Sequence, residues 1–392
     1  MDLQKQIEAY IDAHRADILA QWEALVNLEG LGTDLPAMDE AAAHLERLFT
    51  QAGFACTLTR GAPQAPYVLT ATLGAGRPGR PVVFGGHYDT VFARGTFGPK
   101  PFRIDDEGKA HGPGCLDMKG GIIIALFAAT ALEAAGFADR PIRVILCGDE
   151  EGTPTHVAHS VPLMAQAAQG AVAAFNMETA PVDNALCFAR KGAIVGNFTV
   201  HGVSAHSGNN FTVGRSAIAE AAYKMVAIHE MTDLDAGVYT NVGIVKGGTV
   251  WSQVPDYCQV DFSVRFSTKA GKQQACQAID ALMHKTFIDG TTTEYEITNG
   301  ADPFEENPLS PKLLAFMNRV AARHGWPAHG GIALGGGSDA GALAQEGVAV
   351  LCSCGVRGEW NHTDREYAVV ESMFQRAKLL AAAVAELDDF EG

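Results

Sequence analysis

Apolar residues recur at helical spacing through most of the first fifty positions. Ile7, Ile11, Ile18, Leu19, Trp22 and Leu25 predict an amphipathic helix over 2–28, and Ala43, Leu45, Leu48 and Phe49 predict another over 39–53. The period then shortens. Residues 54–60 and 67–73 alternate closely enough to be strands. Pro81-Val82-Val83-Phe84-Gly85-Gly86 is a short continuous apolar run, which predicts a central strand covered on both faces. Residues 119–135, apolar from Gly120 to Ala129, predict a buried helix. Ile142 to Gly148 and Ala171 to Met177 are two more buried strands. Strands alternating with helices predict an α/β fold, a mostly parallel sheet flanked by helices.

The texture changes near residue 190. Residues 193–201 alternate, a helix follows over 216–231, strands are expected near 238–245 and 256–266, a helix near 270–287 and a strand near 292–298. That order is β-α-β-β-α-β, the ferredoxin-like α+β arrangement. The chain then shows a helix near 309–324, a Gly335-Gly336-Gly337-Ser338-Asp339-Ala340 loop, a strand at 348–356 and a last helix ending about 387. The division expected is a first domain of 1–190 and 304–392, interrupted by an inserted domain of 191–303.

Composition narrows the function. The net charge is −16, from 29 basic against 45 acidic residues. A nucleic-acid or anionic-membrane partner is therefore not expected. The first twenty residues are interrupted by Asp2, Lys5, Glu8, Asp12 and Arg15, unlike a secretory leader. The apolar stretch from Gly120 to Leu132 is too short to span a bilayer. Eight scattered cysteines read as reduced thiols, so a cytoplasmic location is expected.

The polar residues that interrupt the apolar runs gather at one place. His87, the Glu150-Glu151 pair and Glu178 each follow a buried strand, and sites in open α/β sheets lie outside the carboxyl ends of the strands. Asp117 sits in His111-Gly112-Pro113-Gly114-Cys115-Leu116-Asp117-Met118-Lys119-Gly120-Gly121, where small residues let the backbone approach closely. Taken singly, these are an ordinary histidine, a helix cap or a solvated loop. Together with the late His362 they make a mixed N/O ligand set suited to zinc, with manganese or cobalt as alternatives. Adjacent carboxylates repel, so a metal on Glu151 would leave Glu150 free to accept a proton.

These strings, with Gly86-His87-Tyr88-Asp89-Thr90-Val91, Asp149-Glu150-Glu151-Gly152 and the Gly335 to Ala340 loop, resemble the M20 family of di-zinc metallopeptidases and amidohydrolases. The likeness runs from about residue 20 to 385 and is nearest to the glutamate carboxypeptidase branch. It implies a zinc-exopeptidase-like catalytic domain with an inserted lid and dimerisation domain. It implies that His87 and Glu178 hold one metal ion, that Glu151 and His362 hold the other, and that Asp117 bridges them with a cis peptide to Met118. Asp89 would orient His87. Glu150 would be the general base toward a water bridging the two metals, and later the acid for the leaving nitrogen.

In the inserted domain, His201-Gly202-Val203-Ser204-Ala205-His206-Ser207-Gly208 is similar to the family string whose histidine enters the other subunit's site. By that likeness His206 stabilises the oxyanion, while Asn241, Arg265 and Gly336 contact substrate, Arg265 through a carboxylate. In the glutamate branch a basic residue follows the lid's last strand. Here the chain reads Thr298-Asn299-Gly300-Ala301-Asp302-Pro303, so glutamate recognition does not follow. The expectation is a homodimeric hydrolase with two divalent ions, cleaving an amide bond in a small carboxylate-bearing or peptide substrate. A dipeptide, an aryl amide or an aryl amine would use the same metal residues. A non-catalytic M20-like scaffold would lack a ligand or the base, and none is missing.

Overall fold

Successive side chains of the central strands enter two different cores. In the computed structural model, residues 3–152, 158–344 and 347–390 are described, the side chains of 298–300 excepted. Val82 and Phe84, like Val144 and Leu146, face the larger core, while Val83 and Ile145 face the smaller one. That two-sided burial is why Val82 to Gly86 and Val144 to Cys147 read as unbroken apolar runs. Helices Gly120–Ala134, Val370–Ala385 and Leu3–Ala13 pack on the first face. Helix Val161–Ala168 and the short Ala340–Leu343 cover the second.

The sheet runs in the order Ala55–Arg60, Tyr67–Leu73, Ile142–Cys147, Val82–His87, Ala173–Asn176, Ala349–Leu351. The first two joints are antiparallel and the other three parallel, so the sheet is mixed. The carboxyl ends of Val82–His87, Ile142–Cys147 and Ala173–Asn176 therefore lie side by side.

Several boundaries differ from the pattern. The apolar stretch 2–28 forms two helices, Leu3–Ala13 and Arg15–Val26, because His14 leaves the helical region at φ −103 and ψ 17. The next helix begins at Leu35, where Asp34 accepts from the Ala37 amide at 3.2 Å and Pro36 occupies the first turn. The run 348–356 is in the sheet only as Ala349–Leu351. Cys352 then exchanges backbone hydrogen bonds with Cys187, tying it to the strand Leu186–Arg190. That strand, parallel to Gly331–Leu334, was not predicted.

The stretch from 192 to 301 forms its own four-stranded antiparallel sheet, in the order Tyr239–Gly247, Tyr257–Phe266, Gly192–His201, Thr292–Ala301. Helices Ala217–Glu230 and Lys269–His284 cover one face, over a core that includes Phe198, Val200, Val260, Phe262, Ile228 and Ile279. The other face stays open, and burial along Tyr257–Phe266 alternates accordingly. Buried Lys224 donates to the carbonyls of Leu282, Met283 and Lys285, placing a cation at the second helix's carboxyl end. Among the described residues, one helical stretch, Cys115–Ala134, is long and apolar enough to cross a membrane, and 94% of its apolar window is buried inside the fold.

Candidate metal centre

The loop before Asp117 is fixed by its neighbours. Gly114 has φ 72, a conformation that a side chain would strain. Trp22 donates to the Cys115 carbonyl at 3.2 Å. Glu366 accepts from the amides of Gly114, Leu116 and Asp117 at 3.3, 2.8 and 3.1 Å. The Asp117–Met118 peptide is cis. Helix Gly120–Ala134 then starts close against the third buried strand, since a Cβ on Gly121 would collide with the Met177 carbonyl. Each of these contacts pins Asp117 at the sheet's mouth.

There its two oxygens face two different imidazoles. Oδ1 lies 3.4 Å from His87 Nε2, and Oδ2 lies 3.2 Å from His362 Nε2. Glu178 Oε1 stands 3.4 Å from His87 Nε2, and Glu151 Oε1 stands 3.0 Å from His362 Nε2. His87-Asp117-Glu178 and Asp117-Glu151-His362 are thus two three-residue sets sharing one carboxylate, each set's ligand atoms lying within 4.8 Å of one another. His87 is fully buried, and among the described residues its Nε2 has no hydrogen-bond partner. An imidazole nitrogen sealed from water between two carboxylate oxygens suits a divalent cation. These donors fit two such ions.

His362 is presented from a turn in which Trp360 and His362 both take left-handed backbone angles, φ 68 and 62. Such angles cost energy in residues with side chains and cluster at functional sites. Between them Asn361 donates to Asp117 Oδ2 at 2.9 Å. Behind His87, Asp89 has its backbone carbonyl and Oδ1 both 3.3 Å from Nδ1. The same carboxylate accepts from the Glu150 and Glu151 amides at 3.4 and 2.9 Å. Asp89 therefore orients His87 and holds the turn that carries Glu150 and Glu151.

The electrostatics record an excess of buried negative charge. Burial, then Asp117, pushes Glu151 up to about 7. Burial also raises Glu150 well above the carboxylate range, with Glu151 and Glu178 adding to the effect against His87. Asp117 and Glu151 together raise His362 to about 11. Glu366 rises to about 7 through burial and its proximity to Asp117. Cations placed among these groups would relieve the repulsion.

The cluster opens into a cavity of about 410 Å³. Glu150 and Glu178 line it from the sheet, Arg265 and Val195 from the second sheet, and Gly336 from the glycine loop. His206 and Asn241 are elsewhere. His206 is exposed, its Nδ1 accepting from the Gly208 and Asn209 amides at 3.1 Å each. Asn241 lines a separate surface hollow with Asn197 and Ser263. The side chains of Thr298, Asn299 and Gly300, where the glutamate branch departs, lie outside the described residues.

Three residues of the site were missed from the sequence. Arg190 lines the cavity 4.0 Å from Glu178 Oε2 and donates to Cys352 Sγ and the Gly337 carbonyl at 3.2 and 3.3 Å. Asn361 and Glu366 are the others. Arg190 precedes Lys191 and reads as a surface pair, while Glu366 follows Asp364 and Arg365 and reads as part of a solvated loop. Only the adjacency of Asn361 to His362 offered a signal.

Comparison with known proteins points the same way. The sequence profile described as peptidase family M20/M25/M40 matches residues 83–386. Carboxypeptidase G2 from Pseudomonas sp. (strain RS-16) is 25% identical over 378 residues, 94% of this chain and 89% of that protein. Aminopeptidase PepT from Bacillus cereus ATCC 10987 has the same fold, with a TM-score of 0.79 at 21% identity, covering 96% of this chain and 99% of that one. The YXEP protein of Bacillus subtilis, described as a dinuclear metal binding peptidase from the M20 family, superposes with a TM-score of 0.67 at 15% identity over 97% of this chain and 99% of that one.

Proposed function

The chain belongs to peptidase family M20/M25/M40 and is a metal-dependent hydrolase acting on C–N bonds, and from that premise we propose how its own residues do the work. Two zinc ions, replaceable by manganese or cobalt, would be held by His87 and Glu178 in one set and by Glu151 and His362 in the other, with Asp117 common to both sets. When bound, the ions supply Lewis acidity toward the amide carbonyl and toward a water molecule. Glu150 takes the proton of the attacking water and passes it to the leaving nitrogen. Asp89 keeps Nε2 of His87 turned toward the site.

The substrate is a small amide bearing a carboxylate. Arg265 lines the cavity across from the acids, which supports its role as the carboxylate's partner. Gly336 provides backbone at the rim. The inserted segment 191–303, between a first domain of 1–190 and 304–392, acts as lid and dimerisation domain. His206 of a second copy then reaches the cavity and stabilises the developing oxyanion, and Asn241 contacts substrate from the same surface. Exposed Phe211, Val226 and Trp251, 66%, 57% and 96% accessible, give the inserted segment apolar surface for contact with that second copy. Eight free cysteines fit a reducing, cytoplasmic setting.

One observation carries this reading: Asp117 faces two imidazoles with its two oxygens. The test is metal analysis combined with a hydrolysis screen of N-acyl amino acids, dipeptides and aryl amides. The expected result is about two metals per chain and cleavage that a chelator abolishes. Protein that binds no metal and gains no activity from zinc, cobalt or manganese would leave only a scaffold.

A further inference from the structure

A second cavity, of about 530 Å³, shares no lining residue with the first. It lies between the loop after Glu178, the turn following helix Leu309–Arg323 and the last helix, Val370–Ala385. Its chemistry is the reverse of the acidic cluster. Arg376 lines it while only 2% exposed. Its Nη2 donates to the Asn184 carbonyl at 3.4 Å, and its Nε has no hydrogen-bond partner. The buried Cys354 thiol and a second guanidinium, Arg357, act on it, and its own charge adds to the burial that draws down His329, an imidazole of the same cavity. Burial draws Arg376 down to about 10; Cys354 opposes that shift and Arg357 reinforces it.

Three other shielded arginines of this acidic chain are matched, while Arg143, also shielded, donates only to the Ala167 carbonyl among the described residues. Arg60, Arg77 and Arg140 each face a carboxylate. In the cavity, Lys378 is already paired with Asp12, and the one lining acid, Asp183, accepts from the Ala185 amide at 3.1 Å. Arg357 donates to Gln375 at 2.9 Å and stays partly exposed. A desolvated guanidinium without a counter-charge is costly to keep, and an anion removes the cost. Trp326 and Leu379 supply apolar wall beside the two guanidiniums.

We propose that this cavity binds a small organic oxyanion, a carboxylate or a phosphate ester with an apolar body, whose charged end lies between Arg376 and Arg357. The site is independent of the catalytic assignment, because neither arginine belongs to the metal cluster or its cavity. The full-length, metal-loaded protein is titrated with hexanoate and, separately, with inorganic phosphate, against sodium chloride at matched ionic strength. Tryptophan fluorescence and heat of binding are the readouts.

Saturable binding of either probe beyond chloride is expected, and which probe saturates identifies the anion as carboxylate or phosphate. Arg357→Gln should weaken binding roughly tenfold, the loss of one charge-assisted hydrogen bond. Arg376→Met should remove binding, and Trp326→Phe should remove the fluorescence change while keeping the heat. Hydrolysis by these variants should stay near the wild-type rate. If Arg376→Met does not fold, partly exposed Arg357→Gln carries the test. No saturation beyond chloride, or unchanged affinity in Arg357→Gln, would overturn the proposal; the latter would place the anion at the catalytic metals instead.

Discussion

The acid-and-histidine cluster and the surface of the inserted segment are built in opposite ways. On the sheet side, His87, Asp89, Asp117 and Glu178 are buried, and each is fixed by strand, loop or hydrogen bond. On the inserted segment, His206, Asn241 and Trp251 stand in solvent and none of them lines the cavity, and the segment's four-stranded sheet has one uncovered face. Buried acids in excess of bases repel one another, so the first arrangement specifies cations within one chain. Exposed polar and aromatic groups with few contacts have no such internal reason. They make sense when something outside the chain covers them.

That contrast can be broken or sharpened by substitution. The largest effect is expected on the sheet side. Glu150→Gln should keep both metals and lower kcat by about 10²–10⁴-fold, the usual worth of a positioned general base. Full metal content with most activity retained would move the base elsewhere. His206→Ala should lower kcat by about 10²–10³-fold, the loss of one oxyanion donor. Mixing the inactive Glu150→Gln and His206→Ala proteins should restore activity, because in a mixed dimer one cavity has both an intact base and an intact partner histidine. Recovery of none, with dimers verified, would confine His206 to a structural role.

Smaller effects test the supports. Asp89→Ala and Glu366→Ala should each weaken metal affinity about 10–100-fold, as loss of an orienting residue commonly does. Unchanged titration curves for zinc would show that the Asp117 loop and His87 hold themselves. Smallest of all, Trp251→Ala should change unfolding stability by less than about 0.5 kcal/mol, since its side chain is 96% exposed. Self-association measured by sedimentation should nevertheless weaken. A large stability loss in the monomer would mean that Trp251 serves its own chain.

The same contrast decides what the sequence revealed. The α/β fold was legible because strands buried on both faces show as continuous apolar runs, as in Val82 to Gly86 and Val144 to Cys147. Acids and histidines that stop such runs stand out, and His87, Glu150, Glu151 and Glu178 were found that way. Boundaries were less legible where a local competitor acts, such as His14 within the first helical stretch or the Cys187–Cys352 bridge that draws the chain out of the sheet. Glu366, Asn361 and Arg190 were not legible, because polar residues in polar surroundings look solvated whether or not the fold buries them. Arg376 is a further case: it sits on an amphipathic helix, and nothing in the spacing tells that no carboxylate among the described residues pairs with it.

The bridging role of Asp117 has one direct test, anomalous diffraction from crystals grown with zinc and measured on both sides of the zinc edge. Two peaks about 3.5–4 Å apart are expected, one beside His87 and Glu178 and one beside Glu151 and His362, with Asp117 between them. A single peak, or two peaks neither of which touches Asp117, would contradict it.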